Sequence, residues 1–222
     1  MPKSNKEKTF GKNFIILPLV FITVSFISFY LVLSPILTPV VSVLDMVFSK
    51  DYSQSNTKTI YTGEGVNSSN GVIKLSEMQF PALGEIFGSI SIENTDIQNV
   101  DLYFGDSMQD IRNGVGVYNG SSVPGGGGTT LIAGHNNTYF NGLKNVQPGY
   151  KVNIKTNYGD YVYSITDAKP AHRDDTSAYP LTSGEYDLIM YTCYPFDVLG
   201  FKTQRYFVYA ELISGPTIDF NS

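Results

Sequence analysis

Tryptophan is absent from the chain, cysteine occurs once and histidine twice. One cysteine excludes an internal disulfide, so the fold is not a disulfide-stapled scaffold. His135, His172 and Cys193 are isolated from one another in sequence and lack any recognisable ligand spacing, so neither a metal nor another cofactor is expected. Charge is also scarce: 16 % of residues are charged, the net charge is −5 and the pI is near 4.9. No basic patch with interleaved aromatics occurs, which argues against a nucleic-acid partner. There is no internal repeat.

Glycine (21), tyrosine (16) and phenylalanine (14) are plentiful instead. That mix suits a β-rich domain with many turns better than a helical bundle. The runs bear this out as expectations. Short strands are predicted at Ile90–Ile92, Val100–Phe104 and Thr130–Ala133, and at Tyr150–Ile154 with Val152 and Ile154 on one face. Asn157-Tyr158-Gly159-Asp160 reads as a hairpin turn returning into Tyr161–Ile165, and two further strands follow at Asp187–Tyr191 and Tyr206–Ile213. Seven or eight short strands with no long helical period between them imply a closed or nearly closed β-barrel of about 140 residues.

Ahead of this domain, Phe14 to Leu44 carries no charge, which exceeds the ~20 apolar residues a membrane-spanning helix needs. Lys3, Lys6, Lys8 and Lys12 precede it against a single Glu7, so the N-terminus is expected in the cytoplasm and everything after the run outside the cell. A cleaved signal peptide is the rival reading, but its apolar core is about 7–15 residues and VVSVLDM is a weak cleavage site. Pro35 and Pro39 are expected to end or kink the helix near the outer face. The expected organisation is a cytoplasmic segment (1–13), a transmembrane anchor (14–44), a polar linker or stalk (45–78) and the β-barrel domain (79–222).

Several residues carry candidate chemistry. Pro124 followed by Gly125 through Gly128 lacks the Lys-Ser/Thr ending and following helix of a phosphate loop, and reads as a turn. His172 sits in a charged loop with Arg173, Asp174 and Asp175, the setting of a solvated side chain. His135 directly follows an apolar strand, where either a structural or a catalytic histidine fits. Cys193 reads either as a small buried hydrophobe or as a nucleophile. It lies at the end of an apolar strand, Pro195 stops that strand, and Arg205 stands on what should be the next one; a nearby cation favours the reactive thiolate. A cysteine, a histidine and an arginine are the parts that acyl transfer requires: an attacking group, a proton carrier and an oxyanion donor.

In their order along the chain these residues resemble the sortases, membrane-anchored transpeptidases of Gram-positive bacteria. The resemblance covers about residues 80 to 213. Gly88–Ile92 is similar to the first core strand, Ser121 through Gly128 to the S-x-x-P-G-x-G-G segment, and Ala133-Gly134-His135 to the G-H motif. Tyr139–Leu143 follows as F-x-x-L, and Thr192-Cys193 matches the signature T-C, 58 positions after the histidine (193 − 135). Arg205 falls where the family has its arginine, and Tyr194-Pro195-Phe196 with Gly200 is most similar to class D. Three positions depart: Ile189-Met190-Tyr191-Thr192-Cys193 replaces T-L-x-T-C, Val117 stands where a histidine is common, and Glu93-Asn94-Thr95 replaces a Pro-Lys-type turn.

The resemblance implies an eight-stranded β-barrel with short helices and an LPxTG-type sorting-signal substrate. It implies that Cys193 attacks the threonine carbonyl and that His135 protonates the departing glycine amine, then deprotonates the incoming one. Arg205 would hold the substrate and stabilise the oxyanion. An amine of the peptidoglycan precursor would resolve the thioacyl-enzyme. Thr192 is the expected substrate-binding residue, with Ala171–Leu181 and Tyr194–Lys202 as groove regions; Asp174, Asp175 and Glu185 are loop acids open to a test for calcium dependence. Two alternatives stand: a cysteine peptidase that releases the acyl group to water, and a non-catalytic anchored binding module.

Overall fold

Alternation of buried and open residues organises the domain into strands. Lys151–Thr156 buries Val152, Ile154 and Thr156, and Asp160–His172 buries Tyr161, Tyr163 and Ile165. The structure, a computed structural model, describes residues 16–32, 59–61, 71–182, 184, 187–198 and 200–222. Expectations that fall on residues 1–15, 33–58 and 62–70, and on Glu185, lie outside the described residues.

In chain order the strands are β1 (Val72–Lys74), β2 (Ile86–Ile92), β3 (Val100–Phe104), β4 (Val115–Val117), β5 (Thr130–Ala133), β6 (Lys151–Thr156), β7 (Asp160–His172), β8 (Leu188–Tyr194), β9 (Gln204–Ser214) and β10 (Thr217–Asp219). Residues 16–32 form helix α1, in a compact unit of its own, and α2 is the short Asp110–Asn113 turn before β4. No helix among the described residues is long and apolar enough to cross a membrane. Eight strands close a barrel in the order β2-β3-β4-β5-β8-β9-β7-β6, while β1 and β10 pair in parallel as a separate two-stranded sheet. Strand β1 thus lies inside the stretch expected to be stalk.

Most expected strands recur with shifted ends. Strand β7 runs well past Ile165, through Asp167 and Pro170. Beyond Ile165 it pairs only with β9, so the missing N–H of Pro170 costs no ladder bond on its other side. A register shift between Ile165 and Asp167 leaves Thr166 out of the ladder, its hydroxyl donating to the Tyr209 carbonyl at 3.3 Å. The polar Glu93-Asn94-Thr95 turn works without proline: Asn94 takes φ 57°, and the Thr95 hydroxyl donates to Ile92 O at 2.9 Å. Val117, the position where a histidine was the commoner residue, is fully buried in the main core.

Strand β4 is the barrel strand that the sequence reading lacked. It joins β3 to β5, pairing Tyr103 with Gly116 and Gly116 with Ala133. A side chain at Gly116 would overlap the Gly105 carbonyl and crowd Asp106 Cα at 2.9 Å. Gly116→Ala is therefore expected to lower the unfolding free energy by about 1–3 kcal/mol through overpacking against rigid backbone, measured by denaturant titration of the purified protein.

Candidate active site

Side chains on a strand alternate between its two faces, and here one parity collects the candidate residues. On β8, Leu188 and Met190 enter the main core, whereas Ile189 and Tyr191 pack in a second cluster outside it; Cys193 shares their parity. On β9, Val208 and Ala210 point inward and Phe207 and Tyr209 outward, so Arg205 is also on the outer face. On β5, Ile132 is a core residue and Leu131 an outer one.

Register then places the residues along the axis. Cys193 pairs directly with Arg205 across the antiparallel β8–β9 ladder, a relation that sets Cβ atoms about 4.5–5.5 Å apart. Strands β5 and β8 run parallel, with Ala133 opposite Tyr191 and Gly134 N donating to Tyr191 O at 3.2 Å. His135 and Cys193 each stand two residues beyond that last pair. The structure thus brings Cys193, Arg205 and His135 to one rim of the barrel on three adjacent strands. His172 lies at the end of β7 beside Asp174, outside this set.

Thr192 has the opposite parity. It is buried, and its hydroxyl donates to the Gly134 carbonyl at 2.7 Å. Its side chain therefore does not face an open groove, where it was expected, but ties the end of β5 to β8 at the backbone ahead of His135. Gly134 is required by close approach, because a Cβ there would stand 2.6 Å from the Phe140 ring and 2.9 Å from Val115. The chain then turns back, Phe140 N donating to His135 O at 3.0 Å.

His135 is partly enclosed, and its Nε2 is buried with no hydrogen-bond partner among the described residues. Burial, and after it the charge of Arg112 on α2, holds its pKa below the ordinary histidine value. The imidazole is neutral at neutral pH and ready to take a proton. Cys193 is a free, partly exposed thiol. Arg205 is held to its own strand end, Nη1 donating to Gln204 O at 2.9 Å and Lys202 O at 3.2 Å. Burial pushes the Lys202 ammonium down while neighbouring Cys193 and Asp197 pull it back up.

The outer face next to the thiol is aromatic. Phe207 stacks between Tyr191 at 5.8 Å and Tyr179 at 6.0 Å, and the Tyr209 hydroxyl donates to Ala178 O at 2.9 Å. Tyr179 and Ala178 belong to the Ala171–Leu181 region, so that stretch does border the site; Asp175 caps its 3-10 turn, accepting from Ser177 N at 3.0 Å. In the Tyr194–Lys202 region, Tyr194 and Phe196 pack on Tyr206, while Phe201 is exposed under the Arg173 guanidinium at 5.0 Å; Leu199 is outside the described residues. Tyr191 was not singled out by sequence reasoning, although its parity with Cys193 is readable there. Burial first, then the charge of Asp106, pushes its phenol up to about 12, so it stays a donor.

Comparisons with known proteins point to one family. The Sortase domain family model matches residues 90–213. "Sortase D" of Bacillus subtilis (strain 168) is 29% identical over 134 residues, 60% of this chain and 67% of that protein. Among solved structures, a Clostridium perfringens Sortase D5 transpeptidase superposes with a TM-score of 0.53 at 24% identity, covering 60% of this chain and 81% of that one. A sortase C of Clostridium perfringens, solved with the C-terminal cell wall sorting motif, gives a TM-score of 0.52 at 25% identity over 59% of this chain and 72% of its own.

Two outcomes follow from the local physics. In an NMR pH titration, with His135→Ala used for assignment, the His135 midpoint is expected below 6.5. Arg112→Ala should raise it without restoring it fully, since a cation disfavours the imidazolium and burial, the larger cause, remains. Thr192→Val should cost about 1–3 kcal/mol of stability by leaving the buried Gly134 carbonyl without its hydroxyl donor, with Thr192→Ser recovering most of it in the same denaturant titration.

Proposed function

The chain belongs to the sortase family of cysteine transpeptidases, and on that premise we propose that Cys193, His135 and Arg205 are its catalytic residues, acting on an LPxTG-type sorting signal. The observation that carries the reading is the convergence of the three on one face and one rim. Cys193 Sγ attacks the threonine carbonyl while His135, neutral beforehand, takes the thiol proton. The Thr–Gly C–N bond breaks, and the proton passes to the departing glycine amine. An incoming amine then attacks the thioester, gives its proton to His135, and the thiol is regenerated. Arg205, braced by its two carbonyl contacts, directs the rest of its fork of donors at the oxyanion.

The sorting-signal specificity rests on the family to which the chain belongs. It is also supported by the sortase C neighbour solved with a sorting motif. The class D reading rests on Tyr194-Pro195-Phe196 and on the Bacillus subtilis relative. We further place the N-terminus in the cytoplasm and the catalytic domain outside, held by a single membrane anchor where secreted proteins meet the peptidoglycan precursor amine. Support comes from the charge-free run and its lysine flank, and from helix α1, whose Leu17 (74%), Phe21 (73%) and Phe26 (71%) are exposed. Domain boundaries at 13/14, 44/45 and 78/79 belong to the same proposal.

The test is peptide turnover with and without added amine. Cleavage of an LPxTG-type peptide is expected, with an amide product that grows with amine concentration; release of free acid that ignores amines would favour a peptidase. Cys193→Ala should abolish turnover and His135→Ala nearly so. Arg205→Lys should lose on the order of 10²-fold in kcat, because a point charge cannot reproduce a planar fork of donors. Full activity in Cys193→Ala would sink the mechanism.

A further inference from the structure

The last ladder pair between β5 and β8 is Ala133 with Tyr191. His135 and Cys193 both lie past it, so strand pairing alone does not fix their separation. A set of side-chain bonds takes over there. Asn136, next to His135, is buried at 8% exposure, and its Nδ2 donates to the carbonyl of Pro195, two residues after Cys193, at 3.2 Å. Asn141 donates from Nδ2 to Asn136 O at 2.7 Å and to Asp197 Oδ1 at 3.3 Å. Lys144 completes the set with a 3.0 Å ion pair to Asp197 Oδ2. Asp197 itself takes φ 56°, a left-handed backbone in which Asp is tolerated better than most residues.

We propose that Asn136 is a positioning residue of the transpeptidation reaction, supported by Asn141 and Asp197, which fixes the loop carrying His135 against the loop that follows Cys193. The inference rests on the catalytic assignment above. Within the set, the buried Asn136–Pro195 bond carries more than the Lys144–Asp197 pair, whose carboxylate is 64% exposed and therefore well screened. A buried amide facing a carbonyl has few other places to go, whereas an exposed ion pair exchanges with water. Displacing a reacting group by about 1 Å can cost on the order of 10²-fold in rate, so loss of the tie should appear in kcat and not in substrate affinity.

The experiment uses the full-length purified protein and two readouts. The first is the rate of Cys193 alkylation by iodoacetamide against pH, read by intact mass, which requires no peptide. The second is kcat and KM with an LPxTG-type peptide. His135→Ala sets the reference by showing how the alkylation profile moves when the imidazole is gone. Asn136→Asp keeps the shape but puts an acceptor against the Pro195 carbonyl. It is expected to shift the alkylation midpoint toward that of His135→Ala and to lower kcat roughly tenfold to a hundredfold, with KM changed by no more than about twofold. Asp197→Gly keeps the backbone conformation while removing both contacts, and should move the same quantities in the same direction by less, which guards against misfolding of the first variant. If His135→Ala moves the profile but Asn136→Asp and Asp197→Gly leave profile and kcat at wild-type values, the positioning role is overturned while the catalytic assignment stands. If the variants lose only thermal stability, the tie is structural and the proposal fails. If His135→Ala leaves the profile unchanged, the assignment of the pair fails, and the proposal with it.

Discussion

Everything at the site depends on the parallel pairing of β5 with β8. Two strands far apart in sequence enter the barrel side by side, pointing the same way and in a register that sets Ala133 opposite Tyr191. Because both run toward the same rim, the two residues that continue each strand emerge together, one as His135 and the other as Cys193. An antiparallel neighbour, β9, then sets Arg205 directly across from the thiol. The buried Thr192 hydroxyl on the Gly134 carbonyl locks the junction from inside. A slip of one residue in either ladder would turn one of these side chains into the core, so the register places the site as much as the residue types do.

Burial and charge then set the state of the groups that the register has gathered. Enclosure disfavours charge on His135, and the charge of Arg112 adds to that. Arg205 is braced on its own backbone, so its orientation does not wait for substrate to be set. The outer aromatic cluster of Tyr191, Phe207 and Tyr209 gives the thiol an apolar flank, with Tyr179 and Ala178 drawn over it from the β7–β8 connection. A sortase has to hold an acyl group as a thioester long enough for an amine to arrive. A partly covered apolar flank beside a free thiol suits that task.

Much of this was legible in the sequence, and the reasons for the rest are specific. Strands β3 and β5 could be placed at their ends because Val100–Phe104 and Thr130–Ala133 are compact apolar runs edged by turn residues. Cys193, His135 and Arg205 were singled out because strand-end polar residues stand out against such runs and because their order along the chain resembles the sortase motifs. Strand β4 was not, because Val115-Gly116-Val117 is three residues long and takes its identity from two neighbours that only the fold supplies. The extension of β7 through Pro170 was hidden by a residue that usually ends a strand. Thr192 was assigned to the groove because it adjoins the cysteine, while strand parity, once the core face is known, sends it inward. The Asn136–Pro195 tie joins loops 59 residues apart and leaves no local pattern at all.

The most direct test of the central claim is to mix the protein with an LPxTG-type peptide, quench with acid, and map the covalent adduct by intact mass and peptide fragmentation. The account predicts an adduct equal to the peptide truncated after threonine, on Cys193 and nowhere else, accumulating without amine and discharged when amine is added. Cleavage of the peptide with the modification on another residue, or with Cys193 never acylated, would contradict it.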